Sequence, residues 1–271
     1  MRPINCLLAM TGVWVGAYLT WFKPLFYAPG ITGIAAFLAC GAGNAVNDCV
    51  DIDIDRINRP DRVLVKGTLS RRYALILAAV LNLVAVGLAL TVSREVTVVG
   101  LVTIALLYMY NFRLKSIPVL GNLAVSFLAG LTFVTGGVAV DFYFAFDLPG
   151  PLIAFIFAFL FHLVREIVKD VQDIEGDRAV GISTLPQVIG VQKSLLIVLA
   201  LFFVLVLLSF MPLLYGWYGT PYKIVAIYVM ELPILSFLIF LWGNPTPVML
   251  KVASGVLKAG MALGIVALLL A

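Results

Sequence analysis

Asp48, Asp51 and Asp55 stand at i, i+3 and i+7 in the stretch Asn47-Asp48-Cys49-Val50-Asp51-Ile52-Asp53-Ile54-Asp55. On a helix this spacing puts three carboxylates on one face, where they repel each other unless a cation sits between them. A few oxygen-only ligands favour a hard ion such as Mg2+, which keeps waters and takes further oxygens from a phosphate. The device recurs in Arg165-Glu166-Ile167-Val168-Lys169-Asp170-Val171-Gln172-Asp173-Ile174-Glu175-Gly176-Asp177, where Asp170, Asp173 and Asp177 have the same spacing. Of 14 acidic residues, five lie in 48–61 and five in 166–177; only Glu95, Asp141, Asp147 and Glu231 lie elsewhere. A solvated surface would scatter its acids, so both clusters read as metal sites. Asp53 and Glu175 point off the shared faces and read as solvated.

The elements that carry these clusters are membrane helices. Of the 271 residues, 63% are hydrophobic and 12% charged, where a soluble domain would have roughly 45–50% and about 25%. Mean hydropathy is +1.11. The apolar runs are continuous and lack period-2 alternation, which excludes barrel strands. The expected fold is all-α integral membrane, a bundle of nine transmembrane helices around a central apolar cavity with a cytoplasmic polar mouth. The expected spans are about 3–22, 31–46, 72–92, 96–110, 119–140, 152–168, 194–214, 223–242 and 248–270. The first has a basic start but no small-residue cleavage site after it, so it stays a helix and not a signal peptide. Small residues along 31–46 predict close helix approach there. The clusters follow the second and sixth spans, so the single domain reads as two similar four-helix halves, about 1–118 and 119–242, plus a ninth helix. With the N-terminus inside, 13 Lys and Arg fall on the cytoplasmic side, against Lys23, Arg94 and Lys223 outside. That bias puts both acidic clusters in the cytoplasm of a multi-pass cell-membrane protein. The net charge of +4 gives no case for nucleic acid. Cys6, Cys40 and Cys49 have no metal-binding spacing.

Carboxylates, Mg2+ and basic residues at the mouth of an apolar bundle fit a lipid diphosphate, clamped at its head and buried along its tail. Arg59, Arg62 and Lys66 either bind phosphate or only set orientation. Arg113 and Lys115 are further phosphate candidates, and Asn47 opens the first motif. Arg165 and Lys169 stand at i, i+4 beside the second cluster. A cation transporter using two acidic repeats is the competing class, but its ion sites belong at the midplane and not at helix ends among arginines. His162 reads as an interhelical hydrogen-bond partner. Glu231, an acid within a span, is either functional or a hydrogen-bonded structural group. Lys251 and Lys258 snorkel, or Lys251 faces the mouth.

Asn47-Asp48-x-x-Asp51-x-x-x-Asp55, Asp170-x-x-Asp173-x-x-x-Asp177 and nine spans resemble the UbiA family of intramembrane prenyltransferases over essentially the whole chain. Arg2-Pro3-Ile4-Asn5, Tyr110…Lys115 and Gly176-Asp177…Gly181…Thr184-Leu185-Pro186 are similar to further family motifs. The resemblance implies an Mg2+-dependent enzyme that ionises an allylic prenyl diphosphate and passes the prenyl group to a lipid-like acceptor within the membrane lipids. Tyr110-Asn111-Phe112-Arg113-Leu114-Lys115 and 169–177 resemble the branch that prenylates the glycerol hydroxyl of geranylgeranylglyceryl phosphate. An aromatic quinone precursor or a tetrapyrrole is the alternative acceptor. On this reading Asp51, Asp55, Asp173, Asp177, Lys115 and Tyr110 are catalytic, and Arg2 and Asn5 join Arg165 and Lys169 in acceptor binding. Tyr108, Tyr110 and Phe112 would shield the allylic cation, although Tyr110 also suits an interfacial belt.

Overall fold

The computed structural model describes residues 3–20, 26–179, 181 and 183–271, and all its regular structure is helical. The helices are α1 (Pro3–Tyr18), α2 (Tyr27–Val50), α3 (Ile52–Asn58), α4 (Arg71–Leu90), α5 (Arg94–Phe112), α6 (Leu120–Val140), α7 (Pro151–Gln172), α8 (Ile174–Ala179), α9 (Leu185–Ile189), α10 (Val191–Leu214), α11 (Thr220–Gly243) and α12 (Pro247–Leu269). Among the described residues, eight are long and apolar enough to cross a membrane: α2, α4, α5, α6, α7, α10, α11 and α12. α1 is a ninth apolar helix of 16 residues. Residues 19–20 turn where the helix was expected to continue, and residues 21–22 with the expected outer cation Lys23 lie outside the described residues.

Helix starts follow their capping chemistry. The Ser70 hydroxyl accepts from the Tyr73 amide at 3.3 Å and Ser93 from Val96 at 3.1 Å. Thr246 accepts from Met249 at 3.3 Å, with Pro247 in the first turn. Each hydroxyl satisfies one amide that the helix leaves open.

The two acidic stretches differ from the expected straight helices. α2 stops at Val50, Asp51 leaves helical geometry (φ −89°, ψ 12°), and α3 resumes at Ile52. The Asp51 amide still bonds the Asn47 carbonyl at 2.9 Å, and the Asp55 amide bonds Asp51 at 2.8 Å. α7 and α8 meet in the same way at Asp173 (φ −96°, ψ 8°). There the Asp173 amide reaches Lys169 at 2.9 Å and the Asp177 amide reaches Asp173 at 3.0 Å. The i, i+3, i+7 register therefore survives across a kink at the middle aspartate of each cluster.

α11 is not uniformly α-helical. Ile224–Glu231 is wound as a π-helix, and the Leu232 amide reaches back five residues to Ile227. Pro233 follows directly and has no amide to donate, which suits a change of winding at this point. Close backbone approach falls mainly between α1 and α6. A methyl on Gly16 would run into the Phe133 carbonyl, and one on Gly136 into the Val13 carbonyl. Along α2, where small residues predicted such approach, a methyl on Gly33 or Gly43 would meet side chains of Met10 or Leu107 at 3.1 Å.

The largest apolar core joins α7, α10, α11 and α12 around Phe161, Val164, Phe202, Leu205, Leu238 and Leu257. A second core gathers Val15, Ile153, Tyr218, Tyr222 and Leu268, at the bundle end opposite the acidic clusters.

Candidate functional site

A cavity of ≈ 630 Å³ is lined by residues of all nine apolar helices. Its inner wall is mostly apolar, with Ala36, Leu107, Leu128, Phe157, Phe161 and Ile265 among its residues, interrupted by polar groups such as His162, Glu231 and Lys258. Its mouth carries Asp51 and Asp55 from the first cluster, Asp170, Asp173 and Asp177 from the second, and Arg59, Arg62, Lys115, Arg165 and Lys169. Asn5, Asn47 and Tyr110 also line it.

Arg and Lys side chains stand among the stacked carboxylates. Arg62 bonds Asp48 at 2.9 Å and also Asp55, so one guanidinium joins the first and last acids of the cluster. Lys115 pairs with Asp51. Arg59 spans the two clusters and reaches Asp173 at 3.7 Å. Asp170 accepts from the Asn122 amide at 2.8 Å. Arg165 pairs with Glu166, which Lys169 also approaches at 3.4 Å.

The clusters also sense each other electrostatically. Burial, followed by the negative charges of Asp173 and Asp51, pushes the Asp177 carboxyl up to about 6. Burial raises Asp55 as well, against the pull of Arg62.

The donor set fits Mg2+: every acid at the mouth offers carboxylate oxygens, and this ion is typically held by one or two carboxylates plus substrate phosphates. Among the described residues, no group of three His, Cys, Asp or Glu forms a chelate by itself. A bound ion would therefore need phosphate oxygens and waters beside these carboxylates.

Several expected site residues stand elsewhere. Asp48 lies behind Arg62 and does not line the cavity. Lys66 pairs with exposed Asp61 at 2.7 Å, because the 59–70 connection turns it outward. Arg113 caps α5 and is exposed, while Lys115, two residues on, points back to Asp51. Of the three expected shielding aromatics only Tyr110 lines the mouth. Tyr108 takes a hydrogen bond from Asn82 at 3.2 Å and packs against exposed Phe112, at 6.1 Å between ring centroids. Arg2 lies outside the described residues. His162 lines the cavity, but its Nδ1 has no partner among the described residues. Lys258, and not Lys251, lines the cavity. Glu231 lines it too and accepts from the Ser209 hydroxyl at 2.5 Å.

Asn111, Asn122, Ser183 and Thr184 also line the mouth or the space beside it; Asn111 and Thr184 fall within the quoted motifs, but spacing assigned a role to none of the four. Asn111 accepts from the Asn47 amide at 3.0 Å, and its own amide bonds the Leu107 carbonyl at 2.9 Å, which orients Asn47 at the mouth. A lone asparagine in an apolar helix has no periodic signal. The cost of burying an amide without a partner was the only available clue.

The family description "UbiA prenyltransferase family" matches residues 6–247. A digeranylgeranylglyceryl phosphate synthase of Methanopyrus kandleri is 35% identical over 269 residues, covering 99% of this chain and 96% of that protein. A solved structure from work on digeranylgeranylglyceryl phosphate synthase in membranes superposes with a TM-score of 0.78 at 29% identity, covering 98% of this chain and 94% of that one. A UbiA homolog from Archaeoglobus fulgidus, bound to GPP and Mg2+, shares the fold at a TM-score of 0.70 and 18% identity, covering 98% and 97% of the two chains.

Proposed function

The chain belongs to the UbiA prenyltransferase family, and from that premise we propose that it transfers a geranylgeranyl group from its diphosphate to the glycerol hydroxyl of geranylgeranylglyceryl phosphate, with Mg2+. It is a multi-pass membrane enzyme. One observation supports the chemistry above the others. Two helix ends, each kinked at its middle aspartate, bring carboxylates of both clusters to the mouth of one apolar cavity.

Asp51, Asp55, Asp170, Asp173 and Asp177 would hold the metal, and bound there Mg2+ would offset the charge that grows on the diphosphate as the allylic C–O bond breaks. Arg59, Arg62 and Lys115 bind the remaining phosphate oxygens, exchanging a carboxylate partner for a phosphate one. The apolar wall takes the prenyl tail and keeps water from the allylic cation, and Tyr110 adds a π face at the mouth. The glycerol oxygen attacks C1 of the prenyl group. Its proton passes to a second-cluster carboxylate or to the departing diphosphate. Asn5, Arg165 and Lys169 line the same mouth and serve the acceptor. The two-halves architecture and the cytoplasmic mouth belong to the same proposal, supported by the matched kinks and the charge bias.

The test is transfer from radiolabelled geranylgeranyl diphosphate in detergent with Mg2+, offering geranylgeranylglyceryl phosphate and 4-hydroxybenzoate in parallel. Product on the glyceryl phosphate is expected, and Asp51→Ala and Asp173→Ala are each expected to lower turnover by at least about a hundredfold. Product on the aromatic acid alone would replace the acceptor. Undiminished turnover in either variant would remove that cluster from the site.

A further inference from the structure

Beside the mouth, a polar alcove of ≈ 40 Å³ lies between the segment after α5, the end of α7 and residues 183–184. It shares Lys115, Lys169 and Thr184 with the main cavity, so its occupant lies next to whatever fills the mouth. By this kind of measure one water needs roughly 10–15 Å³. The alcove therefore holds a few waters or one phosphate and has no room for a hydrocarbon tail.

Its walls offer donors: the Lys169 ammonium, the Asn122 amide, and the hydroxyls of Ser183 and Thr184. Thr184 is only 7% exposed, and its hydroxyl has no partner among the described residues. It precedes α9 in the capping position yet makes no side-chain capping bond. A buried hydroxyl without a partner costs about 1–3 kcal/mol, a cost that a bound acceptor atom would remove. Two acids also line the alcove, Glu166 paired with Arg165 and Lys169, and Asp170 hydrogen-bonded by the Asn122 amide; the Lys169 ammonium, with three donors, keeps N–H groups for a further anion.

Building on the function proposed above, we infer that this alcove is the subsite for the acceptor's phosphomonoester. Thr184, Ser183 and Lys169 hold its phosphate while the donor diphosphate occupies the mouth. The division follows from shape. A donor with its tail along the apolar cavity places its diphosphate in line with that cavity, between the clusters. The alcove adjoins that mouth and has room only for a headgroup, so it takes the acceptor's phosphate while the acceptor's own tail lies outside it.

The experiment compares geranylgeranylglyceryl phosphate with the same lipid lacking its phosphate, as acceptors for the wild type, Thr184→Val and Ser183→Ala. Thr184→Val keeps the side-chain shape and removes the donor. It is expected to raise KM for the phosphorylated acceptor about tenfold. Its KM for the donor diphosphate should stay within about twofold, and the wild-type preference for the phosphorylated lipid should shrink by the same tenfold. A rise in donor KM instead, or no change in either KM, would overturn the assignment. Inorganic phosphate provides a second readout that needs no variant: inhibition of the wild type competitive with the acceptor supports the subsite, and inhibition competitive with the donor overturns it. A wild type that ignores glyceryl phosphate would sink the proposed function on its own. The alcove would then stand or fall on whether phosphate raises the wild-type melting temperature and fails to raise that of Thr184→Val.

Discussion

At Asp177 the carboxyl is raised from an ordinary 3.8 to about 6 by burial and by Asp173 and Asp51. The folded protein therefore holds this proton more tightly than the unfolded chain. Its contribution to stability is complete below about pH 4 and is lost as pH climbs through about 6. Catalysis has the opposite sign, because a protonated carboxyl is a poor metal ligand. Without added substrate, the wild type is expected to gain melting temperature relative to Asp177→Asn as the pH falls from 7.5 to 5. Over the same range wild-type transfer should decline toward acid pH, with its inflection displaced below 6 because a bound divalent ion favours the ionised carboxylate. Parallel melting curves for the two proteins across that range would refute the assignment. Spacing alone placed the carboxylates, but it could not rank them. Asp48 has the same register as its partners and yet sits behind Arg62. Lys66 and Arg113 stand away from the mouth for a related reason, since the sequence of a polar loop does not say which of its charges turns inward.

Val119 sits in the left-handed region with φ 71°, and the Leu120 amide closes on the Pro118 carbonyl at 2.9 Å. This is a γ-turn, and the residue is β-branched, for which positive φ is a real steric cost. The turn ends the segment that carries Lys115 to Asp51. The same segment packs so tightly on α6 that a methyl on Gly121 would stand 2.9 Å from the Lys115 Cα. Strain of this kind costs about 1–3 kcal/mol, and replacing Val119 by Gly forfeits roughly 0.5–1 kcal/mol of backbone entropy. Val119→Gly should therefore melt at or above the wild-type temperature while losing severalfold in turnover, as Lys115 loses its fixed direction. A drop of several degrees would mean that the turn is unstrained. Helix number and order were legible because hydrophobic run length reports them directly. The kinks at Asp51 and Asp173 were not, because the backbone bonds of both helices continue through them and leave the i, i+3, i+7 pattern unchanged. The π stretch before Glu231 had only Pro233 as its sign.

The whole bundle places its charge at one end, and two measurements follow. A cysteine at exposed position 61 (Asp61→Cys) is expected to react with a membrane-impermeant maleimide in inside-out vesicles and to stay unlabelled in intact cells. The reverse pattern would invert the orientation. The second concerns how metal and donor reach the mouth. Arg62 joins Asp48 and Asp55, Lys115 holds Asp51, and Arg59 reaches Asp173, so Mg2+ arriving alone must take oxygens from cations already in contact with them. A diphosphate arriving alone brings negative charge against both clusters. Arriving together, each would remove the other's obstacle, because the displaced Arg and Lys would find phosphate oxygens and the carboxylates they release would be free to hold the ion. The two ligands should therefore be strongly coupled. In saturating Mg2+, with the donor at about 100 times its dissociation constant, donor binding alone gives about 2.7 kcal/mol by linkage, or roughly 5–10 °C in melting temperature for a chain of this size. Millimolar Mg2+ alone is expected to shift the melting temperature by no more than about 1 °C. A full shift with Mg2+ alone would mean that the carboxylates form a ready chelate, and that Arg59, Arg62 and Lys115 do not compete for them.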